Sequence, residues 1–352
     1  MRKIRCFWAF LLLVAGCGGG ESYSPQSISI DTTKPGVVYT APANRDSGVG
    51  TNIAISVTFN KPMDPASIKA NTFTLSAPDG SAVSASVIGY DAANRIAQFN
   101  PATNLSPTTI YTATIDKGVA DQMGNTMGAN YSWSFTTGPS VDTAAPTVAS
   151  YAPQGTNVPI NSKVAAVFST TMNPFTVNVS SFTLKSDTGA VPGSVVYIGT
   201  AAVFAPASGL TPNTTYTATI TTAAKDLAGN GLTPDFSWTF TTRNSSTPDT
   251  AAPIVISTNP ENRAVAVSVK TTLSAVYDKP MYPYLPGLVD GVAAKTDIIF
   301  NIIYNPDQST EVRLIATQDL KRGGYYKSTI ASVDLCGNPM SSPYTWQFVT
   351  ER

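Results

Sequence analysis

Seventeen residues, DLAGNGLTPDFSWTFTT (Asp226 to Thr242), recur in this chain as DQMGNTMGANYSWSFTT (Asp121 to Thr137) and, more weakly, as DLCGNPMSSPYTWQFVT (Asp334 to Thr350). The recurrence extends well beyond that stretch. Trp133, Trp238 and Trp346 are spaced by 105 and 108 residues, Tyr111, Tyr216 and Tyr326 by 105 and 110, and Met63, Met172 and Met281 by 109 and 109. Asp31, Asp142 and Asp249 each open an Asp-Thr-x-x-Pro segment. A period of that length is the commonest size of a whole domain, so the chain reads as three domains in series. Solenoid repeats are far shorter and bury a core only by stacking.

Inside a unit the dominant pattern has period two. Ile53, Ile55, Val57 and Phe59 alternate with Ala54, Ser56 and Thr58, and Val164, Ala166, Phe168 and Leu273, Ala275, Tyr277 are their counterparts. One face of such a strand is buried and the other faces water. Phe99, Phe204 and Leu314 follow, each six residues before Leu105, Leu210 or Leu320. Short strands broken by Pro, Gly and Asn predict a two-sheet antiparallel sandwich. LSPTTIYTATI (Leu105 to Ile115) and LTPNTTYTATI (Leu210 to Ile220) place Tyr, Ala and Ile on one face, in the manner of a tyrosine corner whose hydroxyl bonds back to upstream backbone. The third copy keeps Tyr326 but loses the Pro. The seventeen-residue stretch then parses as a turn and a last strand. Gly229 and Asn230 suit a tight turn that Asp226 can cap, while Trp238 and Phe240 point inward and plug the core. Met63, Met172 and Met281 are expected to fill core gaps.

These signatures together are specific: Asp-Thr-x-x-Pro, Phe-x-x-x-Met before Asp-Pro or Asn-Pro, Leu-x-Pro-x-Thr-x-Tyr, Asp-x-x-Gly-Asn and Trp-x-Phe-Thr-Thr. From about Asp31 onward the chain resembles three tandem bacterial Ig-like domains of the SbsA (S-layer protein) type, over 31–138, 141–243 and 249–352. The third copy diverges at Tyr277, Tyr282-Pro283 and Val349. The resemblance implies an all-β fold of Ig-like sandwiches and a spacer, display or binding role at the cell envelope.

The N-terminus carries a separate expectation. Arg2, Lys3 and Arg5 precede the apolar run Cys6 to Ala15, the layout of a signal peptide, and the run is too short to span a bilayer. Val14-Ala15-Gly16-Cys17 resembles the lipobox of bacterial lipoproteins, which implies cleavage after residue 16, lipidation of Cys17 and a flexible tether over 17–30. An ordinary signal peptide cut near Gly16 to Gly20 is the competing reading. Gly18 stands where some lipoproteins carry an inner-membrane retention Asp, so the resemblance leans towards the outer membrane. Loss of three basic residues turns the formal balance of 22 basic against 22 acidic groups mildly acidic, and nothing resembles a nucleic-acid patch.

The composition excludes several chemistries. With no histidine in the chain, Ser-His-Asp and Cys-His triads and His-liganded zinc are ruled out. No phosphate-binding Gly-rich loop is present, and no cofactor is implied. Asp121 with Asn125, and Asp226 with Asn230, offer hard oxygens that Asp142 and Asp249 could join as a calcium site, but calcium asks for 6–8 ligands, and turn chemistry accounts for the same residues. Cys336 lacks an intramolecular partner and reads as an inert, partly buried thiol, with an intermolecular disulfide as the alternative; the expected state is a monomer. MYPYLPGLVDG (Met281 to Gly291) has no repeat explanation. Its Tyr282 and Tyr284 either form an exposed ligand loop or fold over the end of the sandwich. The functional expectation is a non-enzymatic envelope lipoprotein acting as a structural, adhesive or display stalk. The alternative is a carbohydrate- or protein-binding accessory subunit whose partners are the membrane through Cys17 and an envelope protein or glycan.

Overall fold

The computed structural model describes residues 31–283, 300–304, 310–316 and 319–352. Cys17 and Tyr284 lie outside them. The described chain is all-β apart from short 3-10 turns such as Pro65–Ser67 and Pro174–Thr176. Each of these turns follows an Asp or Asn whose side chain accepts the second backbone N–H of the turn, which is why Asp-Pro and Asn-Pro follow the recurring Met.

The middle module shows the architecture completely. One sheet runs Gly193–Ile198, Ala201–Pro206, Val164–Phe168, Val148–Ala152; the other runs Gly155–Val158, Phe236–Thr242, Thr215–Ile220, Phe182–Ser186, Gly189–Ala190. The first module repeats this with four strands in each sheet. The third repeats it with a four-stranded and a three-stranded sheet among the described residues. The expected antiparallel pairing holds except at one edge of each module. There Asp46–Val49, Gly155–Val158 and Ala264–Val267 pair parallel to the closing strand. The opening segment of each module switches sheets midway, so its second half arrives alongside the closing strand in the same direction.

Alternation dictates the cores. Trp133, Trp238 and Trp346 are 2, 6 and 1% exposed, and Met63, Met172 and Met281 are buried with them. Each Trp sits on the closing strand and packs against aromatic neighbours, such as Phe73 for Trp133 and Phe182 for Trp238. The tyrosine corner is present in all three copies. The hydroxyls of Tyr111, Tyr216 and Tyr326 accept the backbone N–H of Ser106, Thr211 and Lys321, five residues upstream, at 2.9, 2.8 and 2.7 Å. Loss of the Pro in the third copy leaves this bond intact, because it needs only the Tyr and a free N–H.

The cores are distinct but not isolated. Ile96 of the first module belongs to the apolar cluster of the second, and Val167 of the second packs against that of the third. Residues 34–352 form one compact unit by their backbone contacts. In the preceding segment, Thr33 donates its backbone N–H and its hydroxyl to Asp31 Oδ1 at 2.9 and 2.6 Å.

Candidate functional site

The Asp-x-x-Gly-Asn turns of the second and third modules sit where each meets its predecessor. In the middle module Asp226 Oδ1 accepts the backbone N–H of Ala228 and Asn230 at 2.9 and 2.8 Å, and Oδ2 accepts the Asn230 amide at 3.1 Å. Gly229 lies at φ +92°, a conformation glycine enters without steric cost. Asp121 makes the same bonds to Met123 and Asn125, and Asp334 to Asn338. The Asp thus caps its own turn and directs the next carbonyl outward. Leu227 C=O accepts the Ala54 N–H of the first module at 2.9 Å, and Leu335 C=O accepts the Lys163 N–H of the second at 3.0 Å.

The linkers are clamped at the same places. Asn52 accepts the Asp142 N–H at 2.8 Å and donates to the Asp142 carbonyl at 3.0 Å, which also receives the Asn230 amide at 3.2 Å. One module later Asn161 makes the same pair with Asp249 at 2.8 and 2.9 Å, and Asn338 the third bond at 3.1 Å. Gly50 is required beside the first clamp, since a Cβ there would stand 2.6 Å from Asp142 Cβ. Small apolar seals close both joints: Ala41, Ala54 and Leu227 in one, Ala152, Ala165, Val203 and Leu335 in the other. The hydrogen bonds of Asp142 and Asp249 thus hold the two linkers in place.

Charge separates the three turns. Lys61 Nζ lies 2.9 Å from Asp121 Oδ2, and Lys279 Nζ lies 2.9 Å from Asp249 Oδ2 and 3.5 Å from Asp334 Oδ2. The corresponding residue of the middle module is Thr170. Desolvation opposes ionisation of Asp121, but the Asn125 and Lys61 side chains and the turn N–H groups outweigh it and hold its carboxyl well below the usual range. Asp249 is likewise lowered: desolvation opposes the shift, and Lys279 and the Ala251 N–H override it. Lys279 is raised by its carboxylate neighbours against desolvation. Burial pushes the Cys336 thiol up, and Ser162 Oγ sits 3.5 Å from it; the thiol is therefore poorly populated as thiolate.

The residues proposed as ligand groups serve mostly as structure. Asn230 and Asn338 turn their amide nitrogens to the Asp and the linker carbonyl, so in this arrangement they act as donors. Tyr282 is not an exposed platform. It is half-buried against the Leu335 seal, with Lys163 Nζ 5.0 Å above its ring, because the turn that carries it is pressed onto the second module. Sequence reasoning missed Asn52 and Asn161, although they recur at the same 109-residue spacing as the methionines. It also missed the outward carbonyls of Leu227 and Leu335, which carry no side-chain signature.

A bacterial Ig-like domain model matches residues 31–137, 142–242 and 249–350. The chain belongs to the bacterial Ig-like domain family. Its Ig-like modules are similar to an N-terminal part of the bacterial S-layer protein SbsC at 16% identity, covering 59% of this chain and 44% of that one, with a TM-score of 0.26. A structure of SbsC domains 1–6 gives 13% identity over 91% and 54% of the two chains, again with a TM-score of 0.26. A chimeric titin Z1Z2 gives 9% identity over 62% and 100%, with a TM-score of 0.27. The chain spans about half the length of the S-layer structures it resembles. No match was found among curated protein sequences.

Proposed function

We propose that this chain is a non-enzymatic protein of the cell envelope, anchored to a membrane by lipid on Cys17, in which three Ig-like modules form a structural, adhesive or display stalk. The observation that supports the reading is the use made of the repeated polar motif. Asp226 and Asp334, with Asn230 and Asn338, are committed to capping a turn and joining one module to the next. Such an arrangement transmits position and has no evident reacting group. Among the described residues no helix is long and apolar enough to cross a membrane, and acyl chains at about 0.8 kcal/mol per buried methylene supply the attachment in this reading. An accessory glycan-binding role loses support from Tyr282, whose ring is engaged by Lys163.

The test is metabolic labelling with a palmitate analogue in a bacterial host, followed by membrane fractionation. The wild-type chain is expected to carry label and sediment with membranes, and Cys17→Ser to do neither. Label retained by Cys17→Ser contradicts the anchor.

A further inference from the structure

Asn230 and Gly231 are the only Asn-Gly pair in the chain. The sister turns place Asn125 before Thr126 and Asn338 before Pro339. Asn is a labile residue, because the backbone nitrogen that follows it can attack its side-chain amide carbon and close a five-membered imide. Glycine, without a Cβ, lets the chain reach that geometry most freely. A β-branched Thr crowds the attacking nitrogen, and Pro has no N–H to lose. Packing explains why glycine stands here in the middle module, since a Cβ on Gly231 would lie 2.4 Å from the Thr222 carbonyl oxygen.

The closed joint restrains this reaction. Ring closure expels Asn230 Nδ2 as ammonia, and that nitrogen donates to Asp226 Oδ2 at 3.1 Å and to the Asp142 carbonyl at 3.2 Å. The Asn230 backbone N–H is held as well, on Asp226 Oδ1 at 2.8 Å. The same bonds make the product unsuited to the joint. A carboxylate at position 230 has no proton for the Asp142 carbonyl, and it sets a second negative charge beside Asp226, which is 2% exposed. Lys61 and Lys279 face the corresponding Asp121 and Asp334 at 2.9 and 3.5 Å, but Thr170 stands in their place in the middle module. The reactive pair therefore lies in the one turn that has no lysine there to balance a new charge.

We propose that Asn230-Gly231 is a self-modification site, protected while the first joint is closed, whose conversion after opening prevents that joint from closing again. The Gly231 nitrogen bonds to Asn230 Cγ and gives its proton to solvent. The Cγ–Nδ2 bond breaks, and the nitrogen leaves as ammonia with a proton from water. Water then adds to either imide carbonyl and opens the ring, leaving Asp or isoaspartate at position 230. Water is the only co-reactant, and nothing is oxidised or reduced. The second joint has no such chemistry, because Asn338 precedes a proline.

Peptide mapping of the full chain in detergent, held in mildly alkaline buffer, tests this, with amide hydrogen exchange read on the same samples. The folded wild type is expected to convert at residue 230 at least about tenfold more slowly than the same chain in urea, and Asn52→Ala, which removes the clamp on Asp142 and leaves both cores intact, at least about threefold faster than the folded wild type. Converted chains are expected to lose protection at Ala54 while Val57, Ala166 and Lys163 keep theirs, and Asn230→Asp to show that pattern without incubation. Conversion of the folded wild type at the urea rate, no conversion in urea, an unchanged rate in Asn52→Ala, or Ala54 still protected in converted chains overturns the proposal.

Discussion

The joint between the first and second modules and the joint between the second and third use one backbone scheme and two side-chain chemistries. Both place an outward carbonyl, Leu227 or Leu335, on a preceding N–H, and both clamp a linker Asp with an Asn from each side. The first joint then adds reach: Asn94, at a hairpin tip of the first module, accepts the buried Tyr197 N–H at 2.8 Å, and Phe175 lies over Gly89. The second adds charge, with Lys279 between two carboxylates and Lys163 over Tyr282. Register between modules therefore comes from the turn and the linker, while the surrounding side chains are free to differ.

The largest expected contrast comes from removing the turn carboxylates. Asp334→Ala removes the turn bonds and the longer of the two carboxylate contacts to Lys279, which keeps Asp249 and the Ala251 carbonyl, and should cost about 3–4 kcal/mol. Asp226→Ala removes hydrogen bonds but strands no cation, so about 2–3 kcal/mol is expected. Denaturant unfolding of the two variants checks this order, and equal losses would remove the charge distinction between the joints.

Truncating the seals should give matched effects. Leu227→Ala and Leu335→Ala each vacate a small buried cluster and should lower stability by about 2 kcal/mol apiece. A loss at one joint several times that at the other would show that the backbone scheme is not shared. A finer contrast lies in the cores. Trp238 donates its indole N–H to the Pro153 carbonyl at 3.1 Å, whereas the indole N–H groups of Trp133 and Trp346 have no partner among the described residues. Trp238→Phe should therefore cost about 1 kcal/mol more than Trp133→Phe through the lost bond, measurable by thermal melts of the two variants.

The pH response separates the joints most gently. Asp249 is depressed in the folded chain, so its contribution is whole above the unfolded carboxylate value of about 3.9 and is lost as pH falls through the lower folded value. Lys279 is raised, so its share is whole below about 10.4 and is lost as pH rises through the folded value. Between those limits the charge support of the second joint should be constant. Below about pH 4 hydrogen exchange at Lys163 should accelerate ahead of that at Ala54, because Asp249 and Lys279 act only at the second joint.

Much of the fold was legible because its determinants are side chains in periodic positions. The Trp plugs, the Met fillers and the tyrosine corner all announce themselves by spacing, and even the divergent third copy keeps them. The joints were not legible for a physical reason: the decisive bonds run from the Leu227 and Leu335 carbonyls to the Ala54 and Lys163 N–H groups, and every residue has both groups. Asn52 and Asn161 were readable as a recurring pair, but their partners lie about 90 residues away.

The central claim is that the Asp-x-x-Gly-Asn turn is a joining device. Native-state hydrogen exchange at the Ala54 and Lys163 amides tests it most directly, since each amide has its partner in the next module. Protection approaching that of the buried strand amides of Val57 and Ala166 is the predicted result. Exchange at the rate of exposed loop amides, with the core strands still protected, would contradict it.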